Sequence, residues 1–277
     1  MRKVYTWGHA LEERNLTIAD MRANKAAGRK MTQVTAGDAE EAAILAAQGI
    51  DMIITGSDSF RDVRRGAPNT FITAALFAGR YVTDDEILRG AIDAAMAGAD
   101  SVLTPRSMRV VEMLAKEGLM VQGHVGMVPS LSILLGGMRM RGRTAAEALE
   151  ILEDMRRLED AGAFGVEVEC VAEDALIEIS RHTSLITNSI GAGAGGDVIF
   201  LFFPDICGET ENSPRHAKAW GDGAAIKRAL REERNKAVAG FRAEVASGAY
   251  PSAKHSLSMS DGERERLLEA LDKRPKP

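Results

Sequence analysis

The sequence predicts an α/β protein, a single (β/α)8 barrel of the TIM type spanning residues 1–277, with an N-terminal helix and extra C-terminal helices. Three observations predict it. Short β-prone runs alternate with amphipathic helical runs between residues 31 and 203, and the β-prone runs number eight, which favours closure over an open sheet. The helical runs open on Ser, Thr or Asp and finish near Gly, so cap chemistry agrees with periodicity. A chain of 277 residues, 45% hydrophobic, is long enough to bury one such core.

The elements follow in order. Ala10 to Arg29 is charged and Ala-rich with Leu and Met at helical spacing, which predicts the N-terminal helix. MTQVTAG (31–37) is the first strand, DAEEAAILAAQG (38–49) a helix with an acidic first turn, and DMIITG (51–56) the second strand. TFITAAL (70–76) is the third strand, before the helix of 83–99. DSVLT (100–104) is the fourth, before the helix of 107–118. LMVQGHVG (119–126) is the fifth, followed by a long loop and a helix over 144–163. FGVEVEC (164–170) is the sixth, before AEDALIEISRH (172–182). SLITNSIGAG (184–193) and VIFLFF (198–203) supply the last two strands. Residues 224–248 read as one long helix stopped by Gly248 and Pro251, and 258–277 as a short helix with a basic, Pro-rich end.

Composition excludes several functions. The net charge is −5 with no long basic block, and aromatics make up 5% of the chain, so neither phosphate contacts nor base stacking for nucleic acid is supported. The tracts RDVRR (61–65) and REERNK (231–236) mix signs and read as solvated faces or local ion pairs. Cys170 and Cys207 lack CxxC spacing and are expected as reduced, mostly buried thiols. No leader pattern and no apolar run of ~18 residues occur, so a cytoplasmic, non-membrane protein is expected.

A parallel barrel carries its reactive groups at the C-terminal ends of its strands. The candidates there are Asp58 and Ser59 after the second strand, Arg106 after the fourth, and Gln122 and His124 on the fifth. Glu167 and Glu169 stand on the sixth, Asn188 and Ser189 on the seventh, and Asp205 lies beyond the eighth. His124, flanked by glycines in QGHVGM, reads either as a core histidine bonded to a carbonyl or as a group that binds substrate and moves a proton. Glu167 and Glu169 share a strand face. Glu169 is the candidate general base and Glu167 the structural partner, because an enclosed carboxyl holds its proton toward neutrality. Ser59, Arg106, Gln122, Asn188 and Ser189 are candidate substrate contacts, and Asp58 a candidate ligand for a hard cation. The Gly-rich SIGAGAGGD (189–197) lacks the phosphate-loop string and reads as an anion-accepting or merely tight turn.

Taken jointly, TAGDAEEAAILAAQGID (35–51), RRGAPN (64–69), AGAD (97–100), GHVGM (123–127), VECVAE (168–173), SIGAG (189–193) and EVASGAYPSAKHS (244–256) resemble the ketopantoate hydroxymethyltransferase family. That family lies within the phosphoenolpyruvate mutase and isocitrate lyase superfamily. The resemblance implies a (β/α)8 barrel in a homo-oligomer that transfers a hydroxymethyl group from methylenetetrahydrofolate to 3-methyl-2-oxobutanoate through an enolate held by Mg²⁺. It places the family's acidic residue and Ser on Asp58 and Ser59, with Ser57 where a Gly is usual. Its strand-five His falls on His124, and its base on Glu169. The sequence also departs from the family. A second metal-associated Asp falls on Ala75, a metal-associated Glu near Pro105 and the preceding Lys on Leu103, and about twenty residues are missing between Ser59 and Arg64. Weak or absent Mg²⁺ dependence is therefore expected, with Arg106 as the replacement cation for a substrate carboxylate. Nothing local specifies a pterin pocket for tetrahydrofolate. The expected function is a C–C lyase or transferase acting beside the carbonyl of a 2-oxo acid or dicarboxylate. The alternatives are a hydrolase or isomerase of a related acid, and a non-catalytic barrel acting as a binding or assembly subunit.

Overall fold

A computed structural model describes residues 1–56, 58–77 and 79–274; Ser57, singled out above, lies outside them. The first departure from expectation is at the N-terminus. β1 (Arg2–Tyr5) and β2 (Leu11–Arg14) pair antiparallel, with Arg2 opposite Arg14 and Tyr5 opposite Leu11, and the helix α1 covers only Ile18–Ala26. Local chemistry accounts for the difference. The turn at 6–9 is closed by Thr6 N–H donating to the Ala10 carbonyl at 2.9 Å, and Thr17 with Asp20 forms a capping box that starts the helix there. Arg14 then turns inward, 1% exposed, to meet Asp100 at 2.6 Å.

Eight parallel strands follow: β3 (Met31–Thr35), β4 (Met52–Gly56), β5 (Phe71–Ala75), β6 (Ser101–Leu103), β7 (Val121–Gly126), β8 (Gly165–Glu169), β9 (Ile186–Ile190) and β10 (Val198–Leu201). Their spatial order is sequential and β10 closes on β3, making the predicted barrel. Outward positions such as Ile53, Ile72, Val102, Val121, Val166 and Val168 form one core with buried residues of the surrounding helices. These helices are α2 (Ala39–Ala47), α3 (Phe60–Gly66), α4 (Asp84–Met96), α5 (Met108–Lys116), α6 (Ala145–Asp160), α7 (Glu173–Ile179) and α8 (Phe203–Ile206). Each fully buried aliphatic side chain contributes roughly 1.5–3 kcal/mol.

Inside the barrel the side chains are layered, because alternate residues of each strand point inward. At the N-terminal end Met31, Met52, Phe71, Phe164, Ile186 and Val198 pack with Leu16 and with Met21 of α1, so the N-terminal segment plugs the barrel bottom. Above them lies a polar layer. Gln122 donates through Nε2 to Thr73 at 2.9 Å and to Ser101 at 3.2 Å, and Asn188 donates to Gln122 Oε1. Gln33, on the same inner face of β3, is fully buried. A third layer of Ile54, Ala75, Leu103, Ile190 and Phe200 leads to the C-terminal mouth.

The chain divides into two compact units, Met1–Asp222 and the segment from Gly223 on. The second holds α9 (Gly223–Ser247), followed by α10 (Glu263–Asp272), close to where long and short terminal helices are expected. Among the described residues no helix is long and apolar enough to cross a membrane.

Candidate active site

The inward residues of β7 are Gln122, His124 and Gly126, and those of β8 are Gly165, Glu167 and Glu169. The register sets His124 beside Glu167 and Gly126 beside Glu169. The strand alternation thus delivers one imidazole and two carboxylates to the same mouth. His124 Nε2 lies 3.1 Å from Glu169 Oε2 and 3.8 Å from Glu167 Oε1. These are ion-pair distances without hydrogen-bond alignment, for Nε2 has no hydrogen-bond partner among the described residues. The ring edge therefore faces both carboxylates without being committed to either.

Glu167 is the deeper acid, 8% exposed. Burial pushes its pKa up, the neighbouring imidazole of His124 opposes the rise, and the Glu169 carboxylate adds to it. A raised folded-state value means that the stability this group supplies is fully present below the unfolded value of 4.5 and is lost as pH rises toward the folded one. Glu167→Gln cannot ionise and escapes that loss. Its melting temperature is expected to match the parent near pH 4 and to exceed it increasingly above about pH 5. Parallel melting curves across that range would refute the burial argument.

Backbone geometry aims the acids. Cys170, next after Glu169, has φ of +50°, a conformation costing roughly 1–3 kcal/mol for a non-Gly residue. It is held there by Cys170 N–H donating to Ile190 and by Arg141 N–H donating to the Cys170 carbonyl, both at 2.8 Å. Burial, and then the Glu169 charge, push the Cys170 thiol up, which disfavours the thiolate. Cys170 and Cys207 are not joined in a disulfide. Gly126 has φ of +90°, and a Cβ there would stand 2.3 Å from the Glu169 carbonyl oxygen. Gly126→Ala is expected to destabilise by roughly 1–3 kcal/mol and to displace Glu169, lowering turnover and melting temperature together. A variant with wild-type values of both would show that the close approach is unimportant.

The mouth opens into a cavity of about 790 Å³. Its wall is mainly apolar, with Ile54, Ala75, Leu103, Ile190, Phe200 and Phe202, while His124, Glu167 and Glu169 are grouped on one side. Among the described lining residues there is no Lys or Arg. Thr35, Ser130, Glu41 and the two phenylalanines were not singled out from sequence. Phe200 and Phe202 were findable, since in VIFLFF they alternate on the inner face. Glu41 reads as a helix first-turn acid and accepts from Gly37 N–H at 2.6 Å.

The remaining sequence candidates are placed elsewhere, which corrects several expectations. Gln122 bonds Thr73 and Ser101 and accepts from the Asn188 NH2 beneath the cavity, where the Asn188 amide oxygen has no hydrogen-bond partner among the described residues. Ser189 points outward and donates to the Gly193 carbonyl at 2.7 Å. Arg106 donates to the Tyr81 and Val82 carbonyls, away from the cavity. Ser59 stands at the start of α3 without a side-chain cap bond, and Asp205 is buried in α8; neither lines the cavity. The Gly-rich turn accepts an internal anion, as Ala194 N–H donates to Glu173 at 2.8 Å. Asp58 is ion-paired with Arg80 on the surface.

Against this geometry the comparisons with known proteins can be set. The family model described as ketopantoate hydroxymethyltransferase matches residues 57–253, well over half of the chain. The chain belongs to the ketopantoate hydroxymethyltransferase family. Among its relatives, the 3-methyl-2-oxobutanoate hydroxymethyltransferase of Ignicoccus hospitalis is 32% identical over 264 residues, covering 86% of this chain and 97% of the relative. That of Deinococcus radiodurans is 33% identical over 270 residues, covering 87% and 92%. The fold resembles a phosphonopyruvate hydrolase solved with oxalate and Mg²⁺, with TM-score 0.52 and 14% identity over 92% of this chain and 99% of the other. It also resembles 2,3-dimethylmalate lyase of the phosphoenolpyruvate mutase/isocitrate lyase superfamily, with TM-score 0.51 and 12% identity over 93% and 94%.

Membership in the ketopantoate hydroxymethyltransferase family raises the question of Mg²⁺. The residues at the positions the family uses do not fit it. Ala75, Leu103 and Pro105 are part of the cavity's wall and offer no carboxylate, and Asp58 is engaged with Arg80 outside the cavity.

Proposed function

We propose that this family member makes or breaks a C–C bond beside the carbonyl of a small 2-oxo acid through an enolate. The supporting observation is the His124 and Glu169 pair, 3.1 Å apart at the C-terminal mouth of the barrel and facing the cavity. The Glu169 carboxylate takes the proton from the carbon next to the carbonyl. The C–H electron pair becomes the enolate double bond, and the carbonyl π pair moves onto oxygen. His124 Nε2–H, uncommitted to a protein acceptor, donates to that oxygen as its charge develops. Glu167, beside His124 on the neighbouring strand, is a positioning residue for the ring.

The enolate carbon then attacks a one-carbon electrophile, or in the reverse sense a C–C bond opens to form the same enolate. The aliphatic and aromatic wall supports a branched aliphatic side chain on the substrate, as in the 3-methyl-2-oxobutanoate named for the relatives. Exposed Ile133, Leu134 and Met138 in the loop after β7 support a homo-oligomer. Light scattering reads that directly, and a monomer at micromolar concentration would oppose it.

Product analysis tests the chemistry. Purified protein is incubated with a panel of 2-oxo acids, with and without a one-carbon donor, and the products are weighed by mass spectrometry. Addition of a hydroxymethyl group, or cleavage beside the carbonyl, is expected. Addition of water would assign a hydrolase, an unchanged formula an isomerase, and no turnover across the panel a non-catalytic barrel.

A further inference from the structure

The cavity's charge is unusual for an enzyme of anionic acids. Its described lining carries Glu41, Glu167 and Glu169, one imidazole and no Lys or Arg. Three of these groups converge. One ligand atom from each of His124, Glu167 and Glu169 lies within 4.8 Å of the others. His124 is the second, independent pointer: its side chain is 7% exposed, and its Nε2 faces both carboxylates without a hydrogen-bond partner among the described residues. A buried polar atom left in that state calls for an explanation, of which a bound ion is one, and His124 differs from the other such atoms in facing two carboxylates.

We propose that His124, Glu167 and Glu169 form a three-ligand site for a late first-row divalent cation such as Zn²⁺ or Co²⁺, separate from the Mg²⁺ position that family membership implies. The ligand set decides the ion class. Imidazole suits Zn²⁺ and its neighbours, whereas Mg²⁺ takes oxygen ligands and keeps its waters. A tetrahedral ion with bonds of about 2.0–2.1 Å spaces its ligand atoms about 3.3 Å apart. The His124 to Glu169 separation of 3.1 Å is close to that spacing, the His124 to Glu167 separation is 3.8 Å, and all three ligand atoms lie within 4.8 Å of one another, so binding draws the Glu167 carboxylate inward. Strands β7 and β8 hold the three groups on rigid backbone, and the fourth position faces the cavity, the arrangement of an open site.

The consequence for turnover rests on the proposed function, while the binding does not. A cation held here engages the Glu169 oxygen and the His124 nitrogen that the proton transfer uses. Filling the site therefore switches the reaction off.

The full chain, treated with chelator and desalted, is titrated with Co²⁺ while visible d–d absorption is followed. One equivalent is expected to produce a saturable tetrahedral or five-coordinate band, displaced by Zn²⁺ and not by millimolar Mg²⁺. His124→Asn and Glu167→Gln, each checked for folding by circular dichroism, are expected to weaken Co²⁺ binding by more than about tenfold. No band with the parent protein, or a band of equal affinity in both variants, overturns the proposal. In parallel, Zn²⁺ is added to the reaction of the chelator-treated parent. Retained turnover with the site full overturns the switch. If the metal-free protein turns over nothing while untreated protein does, a metal supports the reaction and the switch fails; if neither turns over, the proposed function fails, and in both cases the Co²⁺ spectrum still decides the site.

Discussion

Glu169→Gln is expected to lower kcat on a 2-oxo acid by about 10²- to 10⁴-fold, the range for loss of a positioned general base. The amide keeps the size and planarity of the carboxylate at the end of β8 but cannot accept a proton from carbon. Its backbone supports are untouched: Met127 N–H still donates to the residue 169 carbonyl at 2.8 Å, and Cys170 still pairs with Ile190. Binding of a non-reacting 2-oxo acid analogue should change by much less than turnover, since the wall of Ile54, Leu103 and Phe200 makes the apolar contacts. Unchanged kcat would remove Glu169 from the mechanism. Equal losses in binding and turnover would recast it as a substrate contact.

The largest stability effect is expected far from the cavity. Asp100 accepts from Arg14 at 2.6 Å, from Arg64 at 2.7 Å and from the Ile72 backbone N–H at 2.8 Å. Arg14 is buried, and burial lowers the Arg64 pKa against the pull of Asp100. Asp100→Ala removes the carboxylate that two enclosed guanidinium groups share, leaving Arg64 without an acid and Arg14 with Glu12 alone at 2.7 Å. Removing one partner of such a group costs roughly 3–5 kcal/mol. At roughly 2–4 °C per kcal/mol for a large domain, the melting temperature should fall by about 6–20 °C. A fall of a degree or two would show that water solvates these arginines and that the hairpin is not anchored through Arg14.

The barrel was legible because its signals are local. Period-two strands, capped helices and terminal glycines repeat along the chain, and each is decided within about ten residues. The paired carboxylates were legible for the same reason, since Glu167 and Glu169 must share a face while Val166 and Val168 pack outward. The hairpin at 2–14 was not legible as such. Its charged, Ala-containing end satisfies helical spacing, and the contact that draws Arg14 inward joins residues 86 positions apart. Arg106 illustrates a second limit. A cation just past a strand end has the reach to enter the mouth, yet the Tyr81 and Val82 carbonyls take its donors instead. Gln122 and Asn188 lie on inward faces as expected, but one layer too deep to meet a ligand. Ser189 could have been excluded by alternation alone, because neighbours 188 and 189 cannot both point inward.

His124 and Glu169 were singled out by their place at strand ends, and the family resemblance falls on the same two residues. It did not flag the second buried carboxylate beneath them or the absence of any Lys or Arg from the described cavity wall. The composition of the wall comes from tertiary placement, which gathers two acids and one imidazole on one side of a mainly apolar chamber.

Deuterium exchange decides whether that cluster moves a proton on carbon. Chelator-treated protein in D₂O is mixed with 3-methyl-2-oxobutanoate, without a one-carbon donor, and the C3 proton is followed by NMR. Enzyme-dependent loss of that signal is predicted, slowed by the Gln substitution at 169. A folded protein that leaves the C3 proton, and those of other 2-oxo acids, at the solvent background rate would contradict enolate formation at His124 and Glu169.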